Sequence, residues 1–500
     1  MFPKPLAELK LNSYAFESSP LVKPTGFREY DARWLFEKEI NLMGVQALGL
    51  GLAALLRELG VKPGIVVGHD FRSYSASIKY ALVAGLLAGG AKVRDIGLAI
   101  TPMAYFAQFA LDAPAVAMVT ASHNDNGWTG VKMGAARPVT FGPEEMGRLR
   151  DIVIGGDAQP AAISGDYEFI ANFPARYIAD LTSRPKLKRK LKVVAACGNG
   201  TAGAFAPELL SALGCEVAPL DCDLDFTFPR YNPNPEDLHM LHAMAQAVKT
   251  TGADVALGFD GDGDRCGVVD NEGAEIFADK IGVMLARDLS SRHKNARFVV
   301  DVKSSGLFAS DPVLKQNGAE TDYWKTGHSH IKRRVRDLKA LAGFEKSGHF
   351  FFNAPIGRGY DDGFVTAIAV LDMLERNPDK SMADLYRALP KTWGSPTMSP
   401  HCADELKYGV ADKVVARFSA MHAAGALLTG QKIQSIVTVN GVRVTVADGT
   451  WGLVRASSNK PELVVVVESP VSEARMREMF HAVDGVLREN QEVGAYNQTL

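Results

Sequence analysis

One pattern recurs through the first three quarters of this chain: a short apolar run, a glycine-rich or polar loop, then a stretch of helical periodicity. Ile65-Val66-Val67 runs into Gly68-His69-Asp70-Phe71-Arg72, and Ala115 to Val119 into Thr120-Ala121-Ser122-His123-Asn124. Val193 to Ala196 leads to Cys197-Gly198-Asn199-Gly200, Val255 to Phe259 to Asp260-Gly261-Asp262-Gly263-Asp264, and Phe298 to Val300 to Asp301-Val302-Lys303. Apolar runs of this length, bounded by turns, read as buried strands. Alternation with helices makes the expected fold α/β. Leu48, Leu52, Leu55, Leu56 and Leu59 share one helical face that Gly60 can stop, and Ile281, Met284, Leu285 and Leu289 share another.

The last hundred residues differ. Ile433 to Val446 alternates in polarity, with a hairpin expected around Asn440-Gly441, and Leu463 to Val467 reads as a further strand before an amphipathic stretch from Ser472 to Leu487. This tail reads as a separate α+β domain. A chain of 500 residues is too long for one ordinary core. Four domains are expected, 1–165, 166–275, 276–390 and 391–500, with no fixed-period sequence repeat.

Composition narrows the function classes. The apolar fraction is 47% and the charged fraction 22%, as in a folded globular chain, and the net charge is -2. A near-neutral chain does not bind nucleic acid or a membrane surface through its global field, so any anion must be met by local pockets. No apolar run approaches the ~18 residues of a membrane span, and Met1 to Pro20 lacks the apolar core of a secretory signal. Five cysteines, none in a C-x-x-C pair, suggest a reduced chain without a disulfide frame or structural zinc. A cytoplasmic location is expected.

Four loops can carry chemistry. In Asp260-Gly261-Asp262-Gly263-Asp264-Arg265, three carboxylates at alternate positions can converge on one cation, because the glycines let the loop curl. All-oxygen ligands favour Mg²⁺, Mn²⁺ or Ca²⁺ over zinc. An EF-hand would need glycine where Arg265 stands and glutamate where Asn271 stands, so that reading fails. In Thr120 to Gly127, Ser122 stands at the carboxyl end of a strand, facing the crevice where α/β proteins bind ligands. It reads as a phosphoryl carrier or nucleophile, or equally as a capping residue. A hydrolase would use His123 as base, but adjacent residues of an extended loop point apart, and no G-x-S-x-G elbow is present. Glu345, Ser347 and His349 lie in Gly343-Phe344-Glu345-Lys346-Ser347-Gly348-His349, a loop suited to sugar hydroxyls or simply a polar turn. Arg455, Ser457 and Asn459, before the Leu463 strand, offer a fork and donors for phosphate. Arg33, Arg72, Lys132, Lys303 and His328 lie in or near polar loops, where each alone reads more readily as a surface charge.

In this order, and with Tyr30-Asp31-Ala32-Arg33 near the start, these loops resemble the α-D-phosphohexomutase superfamily, most of all its bacterial phosphomannomutase/phosphoglucomutase branch. The wording departs from the family's at Ala32, Trp34, Asp125 and Ser458. The resemblance implies three related α/β domains and a smaller C-terminal phosphate-binding domain around a central cleft. It implies that Ser122 is carried as phosphoserine, with Mg²⁺ held by Ser122, Asp260, Asp262 and Asp264. Arg265 would neutralise the transferring phosphoryl, and Arg33 and Lys132 would lie near the phosphoserine. Tyr30, Lys303, Glu345, Ser347, His349, Arg455, Ser457 and Asn459 would bind substrate, and Lys132 and His328 are the candidate bases.

The implied reaction interconverts hexose 1-phosphate and 6-phosphate through a hexose 1,6-bisphosphate, with glucose 1,6-bisphosphate as activator. If Glu345 reads only O3 and O4, glucose and mannose, which differ at C2, are both substrates. A phosphoglucosamine or phosphoacetylglucosamine mutase is the near alternative. A non-catalytic sugar-phosphate-binding protein is the distant one, opposed by the retention of Ser122, the three aspartates and Arg265. The expected partner is the hexose phosphate alone, on a monomer or small homo-oligomer.

Overall fold

The computed structural model describes residues 3–458, 460–498 and 500. The chain divides into two compact units, Met1–Ala278 with Ser347–Ala383, and Asp279–Lys346 with Asp384–Leu500. Within the segment 276–390, expected from the sequence as one domain, residues 279–346 lie in the second unit and 347–383 in the first.

The first unit holds two sheets. In the first, the strands run in the order Ala32–Leu35, Trp128–Gly134, Ala115–Val119, Gly64–His69, Lys92–Leu98, Asp166–Phe169. The central strands Gly64–His69 and Ala115–Val119 pair in parallel, and Trp128–Gly134 runs antiparallel beside the latter. Their apolar runs are buried, as the sequence requires of strands with helices over them. Helices Leu42–Glu58, Ser75–Ala88 and Pro143–Gly155 share one core with this sheet, through Leu48, Leu52, Leu82, Leu86, Leu149 and Ile152. The second sheet is ordered Glu275–Ile276, Cys266–Asp270, Val255–Phe259, Lys192–Ala196, Glu216–Leu220. Val255–Phe259 runs parallel to Lys192–Ala196 and antiparallel to Cys266–Asp270, so the aspartate loop is the turn of a hairpin. The helix Gly363–Glu375, capped by Asp362, packs Phe364 against Phe259 and Tyr177.

In the second unit, Arg297–Asp301 pairs in parallel with Glu320–Trp324 on one side and Ala342–Phe344 on the other. The helix Ala278–Arg292 carries the apolar face read from the sequence. The C-terminal sheet is antiparallel and six-stranded among the described residues. Its hairpin joins Gln431–Val437 to Val442–Val446 around Asn440-Gly441. Strand Leu463–Ser469 and helix Glu473–Leu487, the latter capped by Ser472, follow as expected. Helices Lys407–Ala423 and Glu473–Leu487 cover one face of this sheet. Trp451, Leu453, Val464 and Val466 on the other face pack with Val302. No helix among the described residues is long and apolar enough to cross a membrane.

Candidate active site

The Ser122 loop leaves the carboxyl end of Ala115–Val119, where α/β sheets place their ligands. Two arginines hold it. Arg72 pairs with Asp70 and donates to the carbonyls of Ser122 (3.1 Å) and Asn124 (2.6 Å). Arg33 donates to the Ala121 carbonyl (2.9 Å) and Asn124 Oδ1 (2.6 Å), and pairs with Asp31 at 3.1 Å. So clamped, Ser122 takes a left-handed backbone, with φ +51°, and is 2% exposed. Its Oγ donates to Asp260 Oδ2 at 3.0 Å.

That conformation corrects one expectation. Extended neighbours would point apart, but the left-handed turn at Ser122 brings its Oγ to 3.1 Å from His123 Nδ1. Loss of water around the ring, then the charges of Arg265 and Arg33, hold the His123 pKa well below the ordinary histidine value. The imidazole is therefore neutral beside the serine.

The aspartate loop closes on the serine loop from the second sheet. A Cβ on Gly261 would stand 2.3 Å from the Ser122 carbonyl, so only glycine lets the two loops approach. Asp260, Asp262 and Asp264 are wholly buried, and their oxygens lie within 4.8 Å of one another. Asp260 Oδ1 accepts the Arg265 backbone N–H at 3.1 Å. Asp262 Oδ2 accepts from Thr101 Oγ1 (2.6 Å) and Lys132 Nζ (2.8 Å), and Lys132 also pairs with Asp264. Asp262 Oδ1 is buried with no hydrogen-bond partner among the described residues.

Three buried carboxylates set the electrostatics. Burial, with the charges of Asp264 and Asp262, pushes the Asp260 pKa well above the carboxylate range. Burial would raise Asp262 too, but Lys132 and the hydrogen bond from Thr101 hold it far below. For Lys132, burial is outweighed by Asp262 and Asp264, and the ammonium holds its proton more tightly than a free lysine. An orphaned buried oxygen beside a carboxylate forced toward protonation makes this cluster one that could hold a divalent cation.

Beyond the aspartates, Arg265 lies over His349. Its Nε donates to His349 Nε2 at 2.9 Å, and it stands 3.7 Å from Asp260 and 3.8 Å from Glu236. His349 Nδ1 is 3.0 Å from Asp361 Oδ2 and 3.5 Å from Asp264 Oδ1. Sequence reading grouped His349 with Glu345 in one sugar loop. The structure brings its imidazole to the aspartates, with Nδ1 toward Asp361 and Asp264. Thr101, Asp70, Asp361 and Glu236 were not singled out from the sequence. The pair Asp361-Asp362 directly before an apolar helix was the available signal for one of them.

The second unit gathers its own polar cluster. Asp301 accepts from Ser304 (2.5 Å), Thr326 (3.2 Å) and the Lys346 backbone (3.3 Å), with Lys303 at 4.0 Å. Glu345 is 1% exposed and accepts the Gly327 N–H at 2.5 Å, just before His328 opens its helix. Arg455 and Ser457 are each 7% exposed, with Arg455 donating to the Ala456 carbonyl at 2.7 Å. Asn459 lies outside the described residues. In the first unit, Tyr30 is half-buried in the bend before Ala32–Leu35, and Ser347 is half-buried two residues before His349.

Comparison with known proteins gives a consistent result. The chain matches models for the phosphoglucomutase/phosphomannomutase alpha/beta/alpha domains I, II and III over residues 24–159, 175–273 and 277–393, and for the C-terminal domain over 405–486. It is 35% identical over 456 residues to a phosphomannomutase/phosphoglucomutase of Pseudomonas putida, covering 91% of this chain and 94% of that one. A phosphoglucomutase of Neisseria meningitidis serogroup A is 32% identical over 465 residues, 91% of this chain and 96% of that one. Among solved structures, a phosphoglucomutase/phosphomannomutase family protein from Burkholderia thailandensis matches with a TM-score of 0.84 at 29% identity, over 96% of this chain and all of that one (100%).

Proposed function

The chain belongs to the phosphoglucomutase/phosphomannomutase family of phosphohexomutases, and we propose that it interconverts the 1- and 6-phosphates of glucose and mannose by way of a phosphorylated Ser122. The observation that carries this reading is the Ser122 hydroxyl, buried and 3.0 Å from Asp260 in a nest of three carboxylates. A serine hydroxyl among carboxylates is a poor nucleophile toward an anion unless cationic charge is added. Phosphoryl transfer is driven chiefly by positioning and charge stabilisation.

Asp260, Asp262 and Asp264 are the residues that would hold Mg²⁺, and the unpartnered Asp262 Oδ1 fits that role. When bound, the ion supplies positive charge next to the phosphoserine oxygens. Lys132 anchors Asp262 and Asp264 and adds its charge beside them. Arg265 and Arg33 add charge beside the serine. Once Asp260 no longer holds the Ser122 hydroxyl, neutral His123 can accept its proton as the phosphoryl arrives. His349, with Nδ1 toward Asp361, presents Nε2 as the acceptor for a sugar hydroxyl proton once Arg265 turns to the phosphoryl.

In the second unit, Glu345 is fixed by Gly327 in a pose suited to sugar hydroxyls, and Lys303, His328, Arg455, Ser457 and Asn459 are the proposed phosphate and sugar contacts. Contacts that leave C2 unread would accept both hexoses. The test is phosphorus NMR of the full chain with Mg²⁺ and a trace of glucose 1,6-bisphosphate. Glucose 1-phosphate, mannose 1-phosphate and glucosamine 1-phosphate are offered in separate tubes. Conversion of the first two to 6-phosphates is expected. Conversion of glucosamine 1-phosphate alone would overturn the substrate assignment, and conversion of none would overturn the mutase reading.

A further inference from the structure

Two cysteines that the mutase chemistry does not use meet beneath the aspartate loop. Strands Lys192–Ala196 and Glu216–Leu220 are parallel neighbours, with Ala196 opposite Leu220. Each runs directly into a turn that carries a cysteine, Cys197 after the first and Cys222 after the second. The Cys197 backbone N–H donates to the Leu220 carbonyl at 3.1 Å, and Cys222 Sγ donates to the Ala195 carbonyl at 3.3 Å. The two thiols are close enough to perturb each other's ionisation. Neighbouring strands lie about 4.8 Å apart, and Cys222 falls one residue past the position opposite Cys197, so a modest adjustment of the two turns brings their Cα atoms into the span of about 4.4–6.8 Å that a disulfide bridges.

The two sulfurs are unequal. Cys197 is wholly buried, while Cys222 is half-buried and reaches solvent. Each thiol perturbs the other, drawing the Cys222 pKa down and, with burial, pushing that of Cys197 up. Cys222, the one that reaches solvent, is thus the thiol that an oxidant meets first.

The Cys197 turn is the floor of the cation loop. The Thr201 N–H donates to the Gly261 carbonyl at 2.9 Å, and a Cβ on Gly200 would stand 2.9 Å from the Gly261 Cα. Gly261 in turn donates to the Pro233 carbonyl at 3.1 Å, and a Cβ on Gly198 would meet Pro233 at 2.9 Å. A shift of residues 197–200 therefore passes to Gly261, between two of the three aspartates.

We propose that Cys197 and Cys222 form a reversible oxidation site, closed to a disulfide by a peroxide and coupled through the Cys197 turn to the cation loop. In the first step the Cys222 thiolate attacks hydrogen peroxide. An S–O bond forms, the O–O bond breaks, sulfur is oxidised, and hydroxide leaves to become water. In the second, Cys197 attacks the sulfenic sulfur, and the S–S bond forms as the S–O bond breaks. Hydroxide leaves with the Cys197 proton as a second water, so two thiols and one peroxide give one disulfide and two waters.

The experiment treats the full chain with hydrogen peroxide and reads mass and turnover separately. The mass is expected to fall by about 2 Da, with a non-reduced digest joining the peptides of Cys197 and Cys222. Cys402→Ser should keep that loss, and both Cys197→Ser and Cys222→Ser should abolish it. Oxygen addition on Cys222 without the loss, or a bridge to Cys266, overturns the site in the wild-type chain itself, whatever the variants do. The turnover arm rests on the mutase reading. Oxidised protein should convert glucose 1-phosphate at least about tenfold more slowly, with recovery in dithiothreitol and no such change in Cys222→Ser. A bridge that forms without changing turnover or Mg²⁺ affinity overturns the coupling while leaving the site standing.

Discussion

Ser122 carries two requirements at once, a hydroxyl to hold a phosphoryl group and a backbone in the left-handed region, with φ +51°. Ser122→Ala keeps the loop and removes the acceptor. Turnover of glucose 1-phosphate should drop by on the order of a thousandfold or more with the circular dichroism unchanged. Ser122→Thr restores a hydroxyl, but a β-branched residue at positive φ is strained. Its turnover should stay at least about tenfold below wild type, and wild-type rates would show that the left-handed turn is not needed in the working enzyme. For the cation, Asp262→Asn removes a charge at the orphaned oxygen. Mg²⁺ affinity by titration calorimetry should weaken about tenfold to a hundredfold, and an unchanged affinity would remove Asp262 from the ligand set. The serine and the three aspartates were legible in the sequence because each stands in a distinctive loop after an apolar run. The contact between Ser122 and His123 was not, since it depends on one backbone angle that Arg72 and Arg33 impose from distant segments. Asp361 and Thr101 were missed for the same reason, as residues whose roles appear only when separate elements meet.

Among the elements, the strand Leu463–Ser469 offers the sharpest test of electrostatics away from the reaction. Near its end Glu468 accepts from Lys280 (2.6 Å), Ser305 (2.9 Å), the Gly306 N–H (2.8 Å) and Trp451 Nε1 (3.1 Å). Burial alone would raise its pKa, but Lys280 and the donated hydrogen bonds hold it at about 2, against an ordinary 4.5. A folded-state pKa below the unfolded one gives stability that is complete above 4.5 and is lost as pH falls toward 2. Glu468→Gln leaves Lys280 buried without its counter-charge and should cost about 3–5 kcal/mol at pH 7. Amide exchange in Leu463–Ser469 should show that cost, and the gap between variant and wild type should narrow once the pH drops below 4.5. A gap independent of pH would show that Glu468 acts by packing and not by charge. At this scale the sequence was most readable. Buried runs such as Val255–Phe259 and the alternating hairpin around Asn440 declare themselves by period. The antiparallel return of Cys266–Asp270 did not, because a short buried strand carries no mark of its direction.

For the whole molecule, the decisive feature is that neither compact unit is continuous in sequence. The first needs Ser347–Ala383 as well as Met1–Ala278, since the helix Gly363–Glu375 supplies Phe364 to pack on Phe259, and Asp362 takes the Tyr177 hydroxyl at 2.7 Å. A fragment ending at Ala278 would leave those apolar and polar groups without partners. It should show rapid amide exchange in Val255–Phe259 and cleavage by dilute protease, where the full chain resists. A protected, protease-resistant fragment would show that the returning segment adds little. This interleaving also bears on synthesis. A ribosome delivers residues in order, and domains generally fold as they emerge. Here the second sheet of the first unit must wait, with Phe259 and Tyr177 uncovered, until the helix Gly363–Glu375 is outside, while the opening of the second unit already hangs unfinished behind it. The nascent chain therefore spends a long interval with apolar surface exposed, and its yield in a cell depends on what shields that surface as much as on the stability of the finished fold.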